Sequence, residues 1–313
     1  MISRRNIRVK VMQTIYTVMT LQKDTRPAEA QKILQQHFDD TRSLLVYMIW
    51  FLCEVARYAE THSRQRSSKH LPTAEDLRVS TKITANELLL RMQEDASLKT
   101  ALAREKPELK ADGELVRKIY LQLADTPEYK TYTSQEGRDK AAEKKILEFI
   151  LNDLMLANEL FLNHVEDIYS NWDDDGEMIV QLLAGYLQKP GHFHFDQLMS
   201  ADKATFARSL LDTVLEKDEH LQTLIIPKLK NWDPERIALL DMVMMKMGVA
   251  EFLYFETIPP KVTINEYIDL AKDYSTPQSG QFVNGILDNI HKELVQQGKM
   301  LKVDYKKTDK LKS

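Results

Sequence analysis

Residues 259–290 read PPKVTINEYIDLAKDYSTPQSGQFVNGILDNI, and this stretch decides the fold. Pro259 and Pro260 stop any helix arriving from before them, because the proline ring fixes φ and offers no amide. Thr263 and Glu266 stand at capping-box spacing, in which each side chain satisfies one of the amides left open at a helix N-terminus. The spacing predicts a helix from near Thr263 to about Tyr274, with Ile264, Ile268 and Ala271 on one face. The turn-rich run Ser275, Thr276, Pro277, Gln278, Ser279, Gly280 breaks it, and Phe282 opens a second helix. Glycine inside a helix costs about 1 kcal/mol relative to alanine, so Gly285 implies close backbone packing.

The order KVTINEYIDLAK, short loop, FVNGILD is similar to the C-terminal signature of the NusB family of bacterial transcription antitermination factors. In that family a VxINEAxxLAK-type helix leads through such a loop into an FVNGVLD helix. Apolar spacing alone fits any small helical bundle. Asn284 and Gly285 directly after Phe282 and Val283 are what the resemblance adds, and it implies an all-α, NusB-like helical bundle.

Composition agrees with the class. Only 9 glycines and 10 prolines fall in 313 residues, Leu, Met, Ala, Lys, Glu and Gln dominate, and alternating β-branched runs are scarce. The length suits two typical domains or one enlarged one. The single cysteine, Cys53, has no internal partner and lies in the apolar run LLVYMIWFLCEVA, so a buried thiol and a reducing, cytoplasmic setting are expected. That run is shorter than the ~20 residues that span a bilayer and contains Glu54, which makes it a core helix with no membrane role. The N-terminus is basic but lacks the apolar centre of a signal peptide.

A net charge of -4 excludes a chain that is basic throughout, yet nucleic-acid affinity follows the charge near the phosphates. Residues 1–23 carry Arg4, Arg5, Arg8, Lys10 and Lys23 with no acid, and the tail from Lys299 is basic again. Ser3 is a plausible N-cap for a first helix running to about Gln22, buried through Ile7, Val11, Ile15 and Val18. Arg4, Arg5 and Arg8 share one arc of that helix. Cations at a helix N-terminus oppose the macrodipole by a few tenths of a kcal/mol each. A solvated basic end is the plain reading. The resemblance supplies another: NusB first helices of the RRxxRxxALQxLY kind contact RNA, and RRNIRVKVMQTIY is similar through Arg4, Arg5, Arg8, Gln13 and Tyr16, departing at Asn6 and Val9. Met12, Tyr16 and Met19 form a second stripe, read as core, or, by resemblance for Tyr16, as the contact with a ribosomal-protein partner.

Residues 24–195 have no close counterpart in compact family members. Helical pattern runs from Pro27 to about Arg64, a polar break follows at 65–69, and one long amphipathic helix is expected over Ile146–Ile168. It packs against its neighbours or docks a foreign helix. The run 171–176, NWDDDG, opens like a calcium loop, but the twelfth position is Leu182 where a bidentate glutamate is required, so it is read as a solvated loop. His192 and His194 lack companions for a metal site. No phosphate loop or nucleophile elbow is present, so neither cofactor nor enzyme activity is expected.

From about Thr205 the family-like pattern resumes, with one helix ending before Pro227 and another capped by Asp233 with Pro234 at its first position. Ile237, Leu240, Val243, Met244 and Met247 make the latter's buried stripe. DPERIALLDMVMMKMGVAEFL is similar to a family helix of the form RxxxDxxxLRxAxxEL, in which Glu251 matches an acid that helps hold the ribosomal partner. Lys246 stands where arginine is common, which loosens any carboxylate clamp.

The resemblance implies an antitermination factor that binds boxA-type RNA of ribosomal RNA transcripts together with the NusE ribosomal protein, within the RNA polymerase antitermination complex. It assigns RNA contact to Arg4, Arg5, Arg8, Gln278 and Phe282, and partner contact to Tyr16 and Glu251. Phe282 is otherwise plain core, and Gln278 replaces a residue that is often acidic. The expected division is 1–23 as first helix, 24–195 as inserted helical region, 196–298 as the remainder of the core, and 299–313 as a basic tail. Other readings are a protein-only scaffold, a NusB-like domain related to ribosomal RNA methyltransferases, and homo-oligomerisation through the amphipathic helices.

Overall fold

A computed structural model of the chain describes residues 1–21, 26–229 and 237–302, and every regular element among them is helical. The chain divides into two compact units, one of Met1 with Phe38–Leu198, the other of Ile2–His37 with Met199–Ser313. In chain order the helices are α1 (Arg4–Thr20), α2 (Pro27–Ser67), α3 (Glu87–Glu94), α4 (Ala96–Glu105), α5 (Gly113–Asp125), α6 (Pro127–Ser134), α7 (Lys140–Phe149), α8 (Glu159–Ile168) and α9 (Trp172–Gln188). They continue as α10 (Ala201–Glu216), α11 (Asp218–Ile225), α12 (Leu239–Tyr254), α13 (Pro260–Tyr274) and α14 (Ser279–Gln296).

The unit of residues 38–198 is built on aromatic packing. The apolar run of α2 is buried, Cys53 included. Phe51 meets Phe161 of α8 with ring centroids 4.7 Å apart, and Tyr47 meets Tyr169 at 5.4 Å. Burial pushes the Cys53 thiol up to about 12. The helix expected over Ile146–Ile168 is interrupted: α7 passes into a π-helical turn at Ile150–Met155, and α8 starts anew where Asn158 accepts from the Leu160 and Phe161 amides. A side-chain acceptor at Asn158 lets the chain turn without stranding those amides. The stretch 171–176 is also not a loop. Asp173, Asp174 and Asp175 lie in the first turn of α9, where carboxylates complement the helix dipole, and Asp175 is buried against the Thr41 hydroxyl at 2.7 Å.

In the other unit α12 is the central element. It is buried nearly all round from Val243 to Phe252, as a helix packed on several sides must be, and it meets α1, α10, α11, α13 and α14. Val243, Met244 and Met247 of the expected stripe are buried, Leu240 is half-buried, and Ile237 precedes the helix. Asp233 and Pro234 lie outside the described residues. A Cβ added at Gly248 would meet the Leu287 methyls at 2.8 and 2.9 Å, so glycine sets the approach of α12 and α14. Gly285, expected at a close approach, has nothing within 4 Å of that position.

Three further boundaries differ from expectation. The single helix before Pro227 is two, α10 and α11, parted at Lys217, and Pro227 sits in a short 3₁₀ turn, Ile226–Lys228. Helix α13 starts at Pro260, whose missing amide does no harm at a first position, and its buried face is Thr263, Tyr267, Leu270 and Ala271. Helix α14 starts at Ser279, ahead of Phe282. The first helix does begin after Ser3, whose Oγ accepts from the Asn6 amide at 3.2 Å. No helix among the described residues is long and apolar enough to cross a membrane.

Candidate nucleic-acid interface

Helix α1 lies on α10 and α12, which gives its arginines unequal surroundings. Arg8 points inward and is 2% exposed. Its Nε donates to Glu251 Oε1 at 2.7 Å and its Nη2 to Oε2 at 3.0 Å, the planar fork matched to a carboxylate. Thr263 Oγ1 donates to Oε2 at 2.9 Å and the Tyr267 hydroxyl to Oε1 at 2.8 Å, so both Glu251 oxygens are doubly served. Arg8 Nη1 also pairs with Glu266 Oε2 at 3.3 Å. Thr263 and Glu266 are thereby engaged with Glu251 and Arg8, and the proline at the start of α13 replaces the expected capping box.

Burial works against the Arg8 charge, but the bonds to Glu251 more than offset it and hold the guanidinium above its ordinary pKa. Burial, followed by the Glu251 charge, pushes the Tyr267 phenol well up, so it remains a donor. A buried charge pair of this kind is tolerable only when every lone pair and proton is matched. Glu251 is 0% exposed, and Lys302 closes the same end of α12 by donating to the Glu251 and Phe255 carbonyls at 2.7 Å each. The structure thus places Arg8 and Glu251 with each other in the interior.

Arg4 and Arg5 differ from Arg8. Arg4 is exposed, with its guanidinium 5.6 Å from the centre of the Phe206 ring. The Arg5 side chain is 40% exposed, bonds Asp273 of α13 at 2.7 Å and lies 3.9 Å from Asp269. Lys272, next in sequence to Asp273, is exposed, with its Nζ 3.5 Å from Asp269. Its Cγ is 2.8 Å from where a Gly280 Cβ would stand, at the first turn of α14. Gln278, the N-cap of α14, is exposed, and Phe282 one turn later is half-buried. Lys272 thus lies against the start of α14, the end of that helix at which Gln278 and Phe282 stand. Tyr16 is 40% exposed on α1, whereas Met12 of the same stripe is buried and Met19 half-buried.

Sequence reasoning missed Asp269 and Asp273, although their four-residue spacing on α13 marks one helix face. It also missed Tyr267 as a polar core residue. Lys246 keeps a carboxylate partner, Asp218 of α11, with Nζ 2.5 Å from a single oxygen. That is the one-point contact expected of an ammonium. Among the described residues no cluster of His, Cys, Asp and Glu is arranged to hold a metal.

The NusB family model matches residues 162–292, which include α12, α13 and the Gln278–Phe282 turn and leave α1 outside. The transcription antitermination protein NusB of Salinibacter ruber is 36% identical over 140 residues, 44% of this chain and 82% of that protein. The chain belongs to the NusB family. Its NusB relative from Methylacidiphilum infernorum is 36% identical over 126 residues, covering 37% of this chain and 87% of the relative. The NusB of Chloroherpeton thalassium is 40% identical over 93 residues, 30% of this chain and 44% of that protein. No solved structure matches the chain. NusB membership places the chain among transcription antitermination factors.

Proposed function

We propose that this NusB-family chain binds boxA-type single-stranded RNA of ribosomal RNA transcripts together with the NusE ribosomal protein, as part of the RNA polymerase antitermination complex. The reading is supported by exposed Arg4 and part-exposed Arg5 on α1 and by exposed Gln278 and half-buried Phe282 at the start of α14, which supply cations and an aromatic ring. Unpaired bases are held by stacking on rings, and phosphates by nearby cations. Arg4, Arg5, Gln278 and Phe282 are the RNA residues. Arg8 and Glu251 act beneath them by fixing α1, and exposed Tyr16 is the protein contact. Residues 1–23 and 196–298 form the binding core in this scheme, 24–195 is an insertion, and 299–313 is a basic tail.

The test is anisotropy of a labelled boxA-like RNA at two salt concentrations, with and without NusE. Native chain should bind in a salt-sensitive way that NusE strengthens. Arg4→Ala with Arg5→Ala should weaken binding and flatten the salt dependence, because fewer counterions are released. Phe282→Ala should cost about 1–3 kcal/mol, roughly 5- to 150-fold, with the salt slope kept. A native chain that ignores the RNA even with NusE present moves the function to a protein-binding scaffold.

A further inference from the structure

The loop before α14 is tied down from inside by one residue of α12. Ser279 is buried, and its hydroxyl donates to Asp241 Oδ2 at 2.8 Å. A carboxylate only accepts, so the one Ser279 proton is committed to it. The Ser279 oxygen is then left as an acceptor for Thr276, whose amide donates to it at 3.3 Å and whose Oγ1 lies 2.9 Å away, while Ser275 Oγ, 2.9 Å away, is the other acceptor within reach of the Ser279 hydroxyl. Asp241 is itself buried and sits in the first turn of α12, where its charge suits the helix dipole. Its other oxygen, Oδ1, has no hydrogen-bond partner among the described residues.

This chain of bonds fixes direction. Ser279 points into the unit, so its neighbour Gln278 is turned outward, and Phe282 follows one turn later. Gly280 permits the close approach of α14 to α13, because a Cβ there would stand 2.8 Å from the Lys272 stem and 3.4 Å from the Ile268 carbonyl. We infer that Asp241 is a positioning residue for RNA recognition: through Ser279 it holds the Ser275–Ser279 turn in the form that presents Gln278 and Phe282. The inference rests on the RNA reading above.

Four variants test it by RNA anisotropy, thermal unfolding and hydrogen exchange of the amides of residues 276–282. Asp241→Ala and Ser279→Ala should each weaken RNA binding by about ten- to a hundredfold, the scale of one hydrogen bond to a charged acceptor. The pair combined should be no worse than either alone, since one link is broken once. The slope of affinity against salt should not change, because no phosphate contact is removed. Exchange should quicken at 276–282 and stay as it was in α13. Asp241→Asn keeps an acceptor for Ser279 and should restore affinity and slow exchange. Native-like binding in both alanine variants overturns the inference, as do additive losses, or losses that follow a general fall in Tm and are not rescued by asparagine. A native chain that fails to bind RNA at all overturns the RNA reading first, and the inference with it.

Discussion

The two units hold their centres by different physics. In the unit of residues 38–198 the centre is a set of rings around Tyr47, Phe51, Phe161 and Tyr169. In the other it is one carboxylate, Glu251, bound by Arg8, Thr263 and Tyr267. Rings reward volume and accept a near neighbour of similar size. A buried charge rewards completeness, and loss of one partner strands the rest. The polar centre is therefore the less forgiving of the two, and it is the one that seats α1.

The largest effect expected is from Glu251→Ala, which leaves the Arg8 charge buried and should cost roughly 3–5 kcal/mol in urea unfolding of the full chain. Replacing both Arg8 and Glu251 by Met and Leu should recover most of that loss. If the double change is as damaging as the single one, the carboxylate does more than balance a charge. Phe161→Leu, in the ring-based unit, should cost about 1–2 kcal/mol, since a smaller apolar residue still fills most of the space. Gly248→Ala should destabilise through the Leu287 clash, while Gly285→Ala should be neutral or gain up to about 1 kcal/mol of helix preference. The least visible outcome concerns Cys53. With its thiol buried and pushed up to about 12, the reactive thiolate is scarce near neutral pH, and a thiol reagent should label it there only after denaturant is added.

What was legible in the residues was mostly local. Helical class and the start of α1 after Ser3 depend on composition and on a cap three residues from its target. The start of α13 was misread because Thr263 and Glu266 take partners far away in sequence, Glu251 and Arg8, in place of the nearby amides. Periodicity carried through Ile146–Ile168 because a π-helical turn shifts register without removing apolar residues. Gly285 and Gly248 look alike as letters, and only the position of Leu287 tells them apart. On α1, Arg4, Arg5 and Arg8 form one arc on a wheel, but the wheel does not say which side is covered. Packing against α12 made Arg8 an interior residue and left Arg4 and Arg5 to the surface.

The pairing of Arg8 with Glu251 also has a meaning for how the chain is made. The two residues are 243 positions apart, and at about 5–20 residues per second the ribosome needs roughly 12–50 s to pass from one to the other. During that interval α1 leaves the exit tunnel with its apolar face and its arginine unanswered, while the aromatic unit, contiguous from residue 38 to 198, can be completed. Synthesis thus delivers the ring-based unit first and closes the ionic one last.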